Sequence, residues 1–196
     1  MGCVRNGVAA VLSVLSVLAL VGCSTSREAV AIGGDFEFVA PGGRTEIFYD
    51  PPESRGAVTG ISGESLQRPG ATVGLADYAG QVVVLNVWGT WCGPCREEMP
   101  DLQFVQDSTR TQGVAVFGID VRDDADAARD FLRDRAIGFD SVFDPAGRTL
   151  LALNGYPRNV VPSTVVLDRQ HRVAAVYLAQ IRVAELLPLV QRLAAE

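Results

Sequence analysis

The chain is 196 residues long, 48% hydrophobic and 20% charged, with a formal net charge of −6 at pH 7. That apolar content excludes a chain too polar to fold, and the length suits one compact domain behind an N-terminal appendage. The 17 residues counted as lysine or arginine are all arginine and are scattered, so an acidic chain with no basic stripe excludes nucleic acid as a partner.

Residues 1–22 open with Arg5 and run into an apolar stretch over residues 7–21, short for a membrane span and patterned like a secretion signal. Residues 24–33 are small and polar, as in a flexible tether. Phe36-Glu37-Phe38-Val39 and Thr45-Glu46-Ile47-Phe48-Tyr49 alternate in character on either side of Ala40-Pro41-Gly42-Gly43-Arg44. That pattern predicts a β-hairpin, ended by Asp50-Pro51-Pro52. Residues 53–70, rich in Gly and Ser, read as loop with a short strand.

The run Val82-Val83-Val84-Leu85-Asn86-Val87-Trp88 is almost wholly apolar and β-branched, so it predicts a central strand buried on both faces. Cys92 falls where that strand stops and a helix begins. A thiolate there meets free backbone N–H groups and the positive end of the helix dipole, which lower its pKa and make it the attacking sulfur. Cys95 follows one turn later, close enough to resolve a mixed disulfide. Pro94 suits the first turn of a helix, and Gly93 should leave the first sulfur accessible. A buried structural bridge or half of a zinc site are the alternatives for such a pair, although the chain cannot supply four zinc ligands.

The helix should continue to about residue 112, bent at Pro100, with Leu102, Val105 and Gln106 at helical spacing. Residues 114–119 predict the next buried strand. Asp124 should cap a helix with Ala128, Phe131 and Leu132 inward, closed by Gly138. Residues 139–143 read as a short strand and residues 148–154 as a short helix stopped by Gly155 and Pro157. Two strands, at 165–168 and 173–178, should form a hairpin across Arg169-Gln170-His171, leaving His171 on the surface. The last helix, between 182 and 195, carries Leu186, Leu187, Val190 and Leu193 on one face. Pro188 would suit only its first turn.

Two resemblances add to this reading. Leu20-Val21-Gly22-Cys23 resembles the bacterial lipoprotein cleavage box, which implies removal of residues 1–22 and acylation of Cys23, tethering the protein to the outer face of the cytoplasmic membrane. Cys3 would leave with the signal, so Cys92 and Cys95 would be the remaining thiols. The stretch Asn86-Val87-Trp88-Gly89-Thr90-Trp91-Cys92-Gly93-Pro94-Cys95-Arg96-Glu97-Glu98-Met99-Pro100 resembles the active site of the thioredoxin superfamily, and within it the membrane-anchored, extracytoplasmic ResA-like and TlpA-like branch, over roughly residues 73–195.

The implied architecture is an α/β, thioredoxin-like fold: a central mixed β-sheet flanked by helices, with an N-terminal β-hairpin extension and a helical insert over 123–154. Residues 72–78 would be an edge strand and turn. Residues 1–22 would be the signal peptide, 23–70 the anchor, tether and extension, and 71–196 the thioredoxin-like domain. In families of this fold a cis proline lies against the cysteine pair, and Pro162 fills that place. Val161 would then pair with an extended substrate, with Trp91 also contacting it. Asn86 stands where thioredoxins proper carry a buried aspartate. Another acid must serve, and Asp123 falls near where the ResA-like branch has one, with helix capping as its plainer role. Glu97 and Glu98 read as a solvated helix face.

The implied activity is thiol-disulfide exchange on protein disulfides through Cys92 and Cys95, with no metal and no cofactor beyond that redox-active pair. The Gly-Pro dipeptide is the one found in reducing members. That points to a monomeric reductase supporting cytochrome c maturation, acting on apocytochrome c and fed by a CcdA- or DsbD-like membrane electron donor. A general disulfide oxidase or isomerase for secreted proteins is the second reading. A Sco-like copper-handling module is the third, although it would require Cys-x-x-x-Cys and a distant histidine. A peroxiredoxin would show Pro-x-x-x-Thr/Ser-x-x-Cys, where this chain has Leu85 and Gly89.

Overall fold

The computed structural model describes residues 34–196. Residues 1–22, read as a signal, Cys23, and the tether of residues 24–33 lie outside the described residues. The strand order of the main sheet is β1-β8-β7-β4-β5-β6, built from β1 (Glu46–Phe48), β4 (Val82–Trp88), β5 (Val114–Asp120), β6 (Ser141–Phe143), β7 (Ser163–Leu167) and β8 (Val173–Tyr177). β4 runs parallel to β5 and antiparallel to β7, so the sheet is mixed, with the strand that leads to the cysteines at its centre. All seven residues of β4 and all seven of β5 are buried, as their apolar runs require.

Alternation along β4 sorts the core. Val82, Val84 and Trp88 meet Met99, Leu102 and Val105 of α1 (Gly93–Thr109), Ala128 and Leu132 of α2 (Ala125–Asp134), and Leu186, Val190 and Leu193 of α3 (Val183–Ala195). Val83, Leu85 and Val87 face the other way, toward Phe36, Ile61, Leu75, Leu150 and Leu153. The helices α1, α2 and α3 thus cover one face, and segments from residues 34–78 and 149–156, with short 3-10 helices at Leu75–Tyr78 and Thr149–Ala152, cover the other. A sheet buried on both sides needs both covers, since each fully buried large side chain contributes about 1.5–3 kcal/mol.

The predicted hairpin over residues 36–49 is corrected. β1 pairs antiparallel with β8, Glu46 opposite Tyr177, and forms an edge of the main sheet. Phe36 instead donates its N–H to Ala57 and Phe38 to Asn154. Gly155 makes the second approach possible: its φ is +72°, and a Cβ there would stand 2.9 Å from the Phe38 carbonyl oxygen. The short strand expected within residues 53–70 is β2 (Ser62–Glu64). It pairs with β3 (Thr72–Gly74) as a separate ribbon, so pairing crosses the 70/71 boundary.

Other local expectations hold with adjustments. Asp124 caps α2 by accepting from the N–H groups of Asp126 and Ala127, but the helix ends before Gly138, with Ala136 at positive φ. The 123–154 segment holds a strand as well as a helix, because β6 adds in parallel beside β5. Pro188 lies inside α3, beyond its first turn; the buried Leu186, Leu189, Val190 and Leu193 hold the helix despite the missing N–H. His171 is half-buried, its Nε2 3.0 Å from the Tyr78 carbonyl oxygen. No helix among the described residues is long and apolar enough to cross a membrane.

Candidate active site

Cys92 is the N-cap of α1: its backbone is extended (φ −90°, ψ 108°) and its sulfur accepts the Cys95 N–H at 3.2 Å. The free N–H groups of the first turn and the helix dipole converge there, the setting that stabilises a thiolate. Cys92 and Cys95 are joined in a disulfide, S–S 2.07 Å and Cα–Cα 5.3 Å. The accessible first sulfur expected from Gly93 is corrected: Cys92 is 4% exposed and Cys95 0%, because both belong to the helix-covered core cluster.

The loop before Cys92 is pinned from the end of β5. Trp91 donates its indole N–H to the Val121 carbonyl at 2.9 Å, the Arg122 guanidinium lies 4.3 Å over its ring, and the side chain stays 47% exposed beside the disulfide. A Cβ at Gly89 would stand 2.4 Å from that indole nitrogen, so only glycine lets the ring fold back. Asp123 accepts from the Thr90 N–H, from the Thr90 hydroxyl at 2.6 Å and from the Asp124 N–H at 2.9 Å. Both its oxygens are thereby engaged in holding the loop.

The reading of Glu98 as a solvated side chain is corrected. It is 0% exposed, whereas Glu97 beside it is open to solvent. The buried face of α1 runs Cys95, Glu98, Met99, Leu102, Val105 and Thr109, so Glu98 lies one turn beneath Cys95. Its oxygens accept from Asn86 Nδ2 at 2.8 Å and from the Ile181 N–H at 3.0 Å. Burial pushes its carboxyl up to about 7, with the hydrogen bonds from Ile181 and Asn86 opposing the rise. Asn86 also donates to Thr164 Oγ1 at 3.1 Å, and its own Oδ1 has no partner among the described residues. The position that thioredoxins proper give to an acid here holds the amide that orients one. The spacing of three residues from Cys95 was the signal available for Glu98.

A second buried acid, Asp120, was not singled out from the sequence. It ends β5 opposite Trp88, is 0% exposed, and among the described residues neither of its oxygens has a hydrogen-bond partner. Alternation puts it on the face of Val114 and Val116, the face that α1 covers. Burial first, and the neighbouring Asp123 second, push its carboxyl up to about 9.

The Val161-Pro162 peptide is cis. Ser163 pairs with Val87, so Pro162 is level with the end of β4. Pro162 is buried, and half-buried Val161 packs against the cluster that holds both cysteines. Ser163 Oγ, bonded to the Tyr156 hydroxyl and to the Val160 carbonyl, anchors this corner. The structure therefore brings Trp91, Cys92, Cys95, Val161 and Pro162 to one end of the sheet and sets Asp123 at the base of the loop.

Residues 60–176 match the model of the AhpC/TSA family. The chain is 32% identical over 157 residues to the thiol:disulfide interchange protein DsbE of Pseudomonas aeruginosa, covering 75% of this chain and 83% of that protein. It is 29% identical to the thiol-disulfide oxidoreductase ResA of Bacillus subtilis, a match over 55% of this chain that spans only 58% of that protein. Among solved structures it is similar to a secreted thiol-disulfide isomerase from Corynebacterium glutamicum, at 42% identity and a TM-score of 0.80, covering 84% of this chain and 100% of that one. A DsbF homologue from Corynebacterium diphtheriae is similar at 46% identity and a TM-score of 0.76, covering 81% and 99%.

Proposed function

The chain belongs to the AhpC/TSA family with a thioredoxin-like fold and is a thiol-disulfide oxidoreductase, and we propose that it works as an extracytoplasmic, lipid-anchored reductase of protein disulfides serving cytochrome c maturation. The observation that carries the exchange chemistry is Cys92 at the first turn of α1, with Cys95 one turn inside and buried Glu98 beneath it. Gly-Pro between the cysteines favours the reducing direction. Residues 1–23, read as signal and lipidation site, support the location, as does the likeness to the secreted thiol-disulfide isomerase of Corynebacterium glutamicum.

In the reduced protein the Cys92 thiolate attacks one sulfur of a substrate disulfide; an S–S bond forms to Cys92 and the substrate's second sulfur leaves as a thiolate. Cys95 then loses its proton to Glu98, whose raised pKa near neutrality suits it to accept and return one. The Cys95 thiolate attacks the Cys92 sulfur, closes the disulfide and releases the reduced substrate. Two electrons leave with the substrate, and its thiolates take up two protons. A donor dithiol, supplied by a membrane protein like CcdA or DsbD, reverses the sequence. The backbone at Val161, before the cis proline, holds the extended substrate beside Trp91. No cofactor enters these steps.

Cys95→Ser should trap mixed disulfides through Cys92, and trapping by Cys92→Ser instead would reverse the roles. Equilibration with glutathione should give a potential below about −220 mV, on the reducing side of protein disulfide isomerase at about −180 mV. A value above about −150 mV would make the protein an oxidase, the second reading. Cys23→Ser should abolish lipid labelling and release the protein from membranes.

A further inference from the structure

Gly93, one of the two residues between the cysteines, also forms part of the wall of an open groove of about 590 Å³ whose other lining residues are Arg96, Glu97, Pro100, Arg135 and Arg182. Three separate segments deliver the guanidinium groups: Arg96 from the first turns of α1, Arg135 from the end of α2, and Arg182 from the N-cap of α3. All three arginines are exposed. Among the described residues Arg96 and Arg135 take part in no ion pair, and Arg182 reaches Glu97 and Asp101 only at 3.7 and 3.8 Å. Exposed pairs that long contribute little, so an incoming carboxylate can displace them readily. The chain as a whole carries −6, and this rim of the cysteine pair reverses that sign.

We propose that the groove is a docking site for an acidic peptide segment, so that the disulfides this protein exchanges are flanked in the partner chain by Asp or Glu. The inference rests on the reading that Cys92 attacks protein disulfides. Gly93 lines the groove and directly follows Cys92, so a substrate joined to Cys92 has its neighbouring residues at the groove mouth. Guanidinium groups bind carboxylates through paired, charge-assisted hydrogen bonds, and a local positive field on an acidic protein raises the encounter rate of acidic partners while repelling basic ones.

The test uses the full chain in its reduced form and three peptides that share one intramolecular disulfide and differ in the flanking residues: Asp and Glu, their amides Asn and Gln, or Lys and Arg. A small neutral disulfide, bis(2-hydroxyethyl) disulfide, serves as reference. At low salt the acidic peptide should be reduced with a kcat/KM about 10-fold above its amide twin, the lead shrinking at high salt. Arg96→Gln and Arg135→Gln should each cut that ratio several-fold and together bring it near one. Taking the ratio cancels any change in Cys92 reactivity caused by the lost charge. A ratio near one in the unmodified protein, a preference for the basic peptide, or a ratio untouched by both substitutions would overturn the groove assignment while the exchange reading stands. If neither the peptides nor the neutral disulfide is reduced, both readings fall.

Discussion

Charge is buried at both ends of the central strand, in opposite ways. Beyond the Val82 end, Arg55 is 1% exposed and its guanidinium binds Glu196 at 2.6 Å, Asp50 at 2.9 Å and Asp168 at 3.2 Å. Arg172 and Arg192 add further pairs to Asp168 and Asp50. At the Trp88 end Glu98 and Asp120 are fully buried, and among the described residues no cation is hydrogen-bonded to either. In the first region burial raises Asp50 and Asp168, but the bonds to the arginines outweigh it; Glu196 is lowered chiefly by Arg55. All three end below the usual carboxylate range. In the second region burial wins, and the carboxyls are raised. One cluster ties the Asp50–Arg55 segment, the turn after β7 and the C-terminal residue together. The other keeps acids that can hold a proton near neutral pH on the sheet face that α1 covers.

The two regions should therefore respond to pH with opposite signs. A depressed carboxylate contributes stability that is full above its unfolded value near 4 and is lost as pH falls through the folded value. A raised carboxyl binds more protons folded than unfolded, so its contribution is full below about 4 and is lost as pH rises, toward about 7 for Glu98 and about 9 for Asp120.

The largest effect expected from breaking this contrast is on the ion cluster. Arg55→Met leaves Arg172 on Asp168 and Arg192 on Asp50 but removes the buried cation that Asp50, Asp168 and Glu196 share, and should cost about 3 kcal/mol in denaturant unfolding at pH 7. A loss under about 1 kcal/mol would mean that the cluster does not hold these segments together. Glu98→Gln should instead leave stability equal or higher while slowing disulfide exchange about 100-fold at pH 7, and an inflection near pH 7 in the rate profile should disappear. Retention of that inflection in the variant would assign the proton transfer elsewhere. Last, Asp120→Asn removes the titrating group itself, so between pH 5 and pH 8 it should gain on the order of 1 kcal/mol per pH unit relative to the unmodified protein and flatten the alkaline slope. Thermal unfolding across that range reads it directly, and a slope unchanged by the substitution would show that Asp120 is not the group held neutral.

Local signals carried much of this molecule in the sequence alone. The β-branched run of β4, the Cys92 N-cap with Pro94 behind it, the Asp124 cap and the β7–β8 hairpin each depend on residues within a turn or two of one another. Period, cap chemistry and turn length therefore decide them before any long-range contact forms. Distant partners decided the rest. The strand signal at residues 46–48 says that the segment extends but not what it pairs with, and its partner β8 lies more than a hundred residues on. Glu98 sits among charged neighbours and looks solvated. Only the approach of Asn86 and of the Ile181 N–H gives it hydrogen bonds that make burial tolerable. Asp120 ends an apolar strand like a boundary residue until α1 closes over its face. Arg96, Arg135 and Arg182 are unremarkable apart, and become one positive rim because the ends of α2 and α3 arrive at the first turns of α1. Burial of a charge, and the field several charges make together, are set by what surrounds a residue in space, which sequence neighbours do not encode.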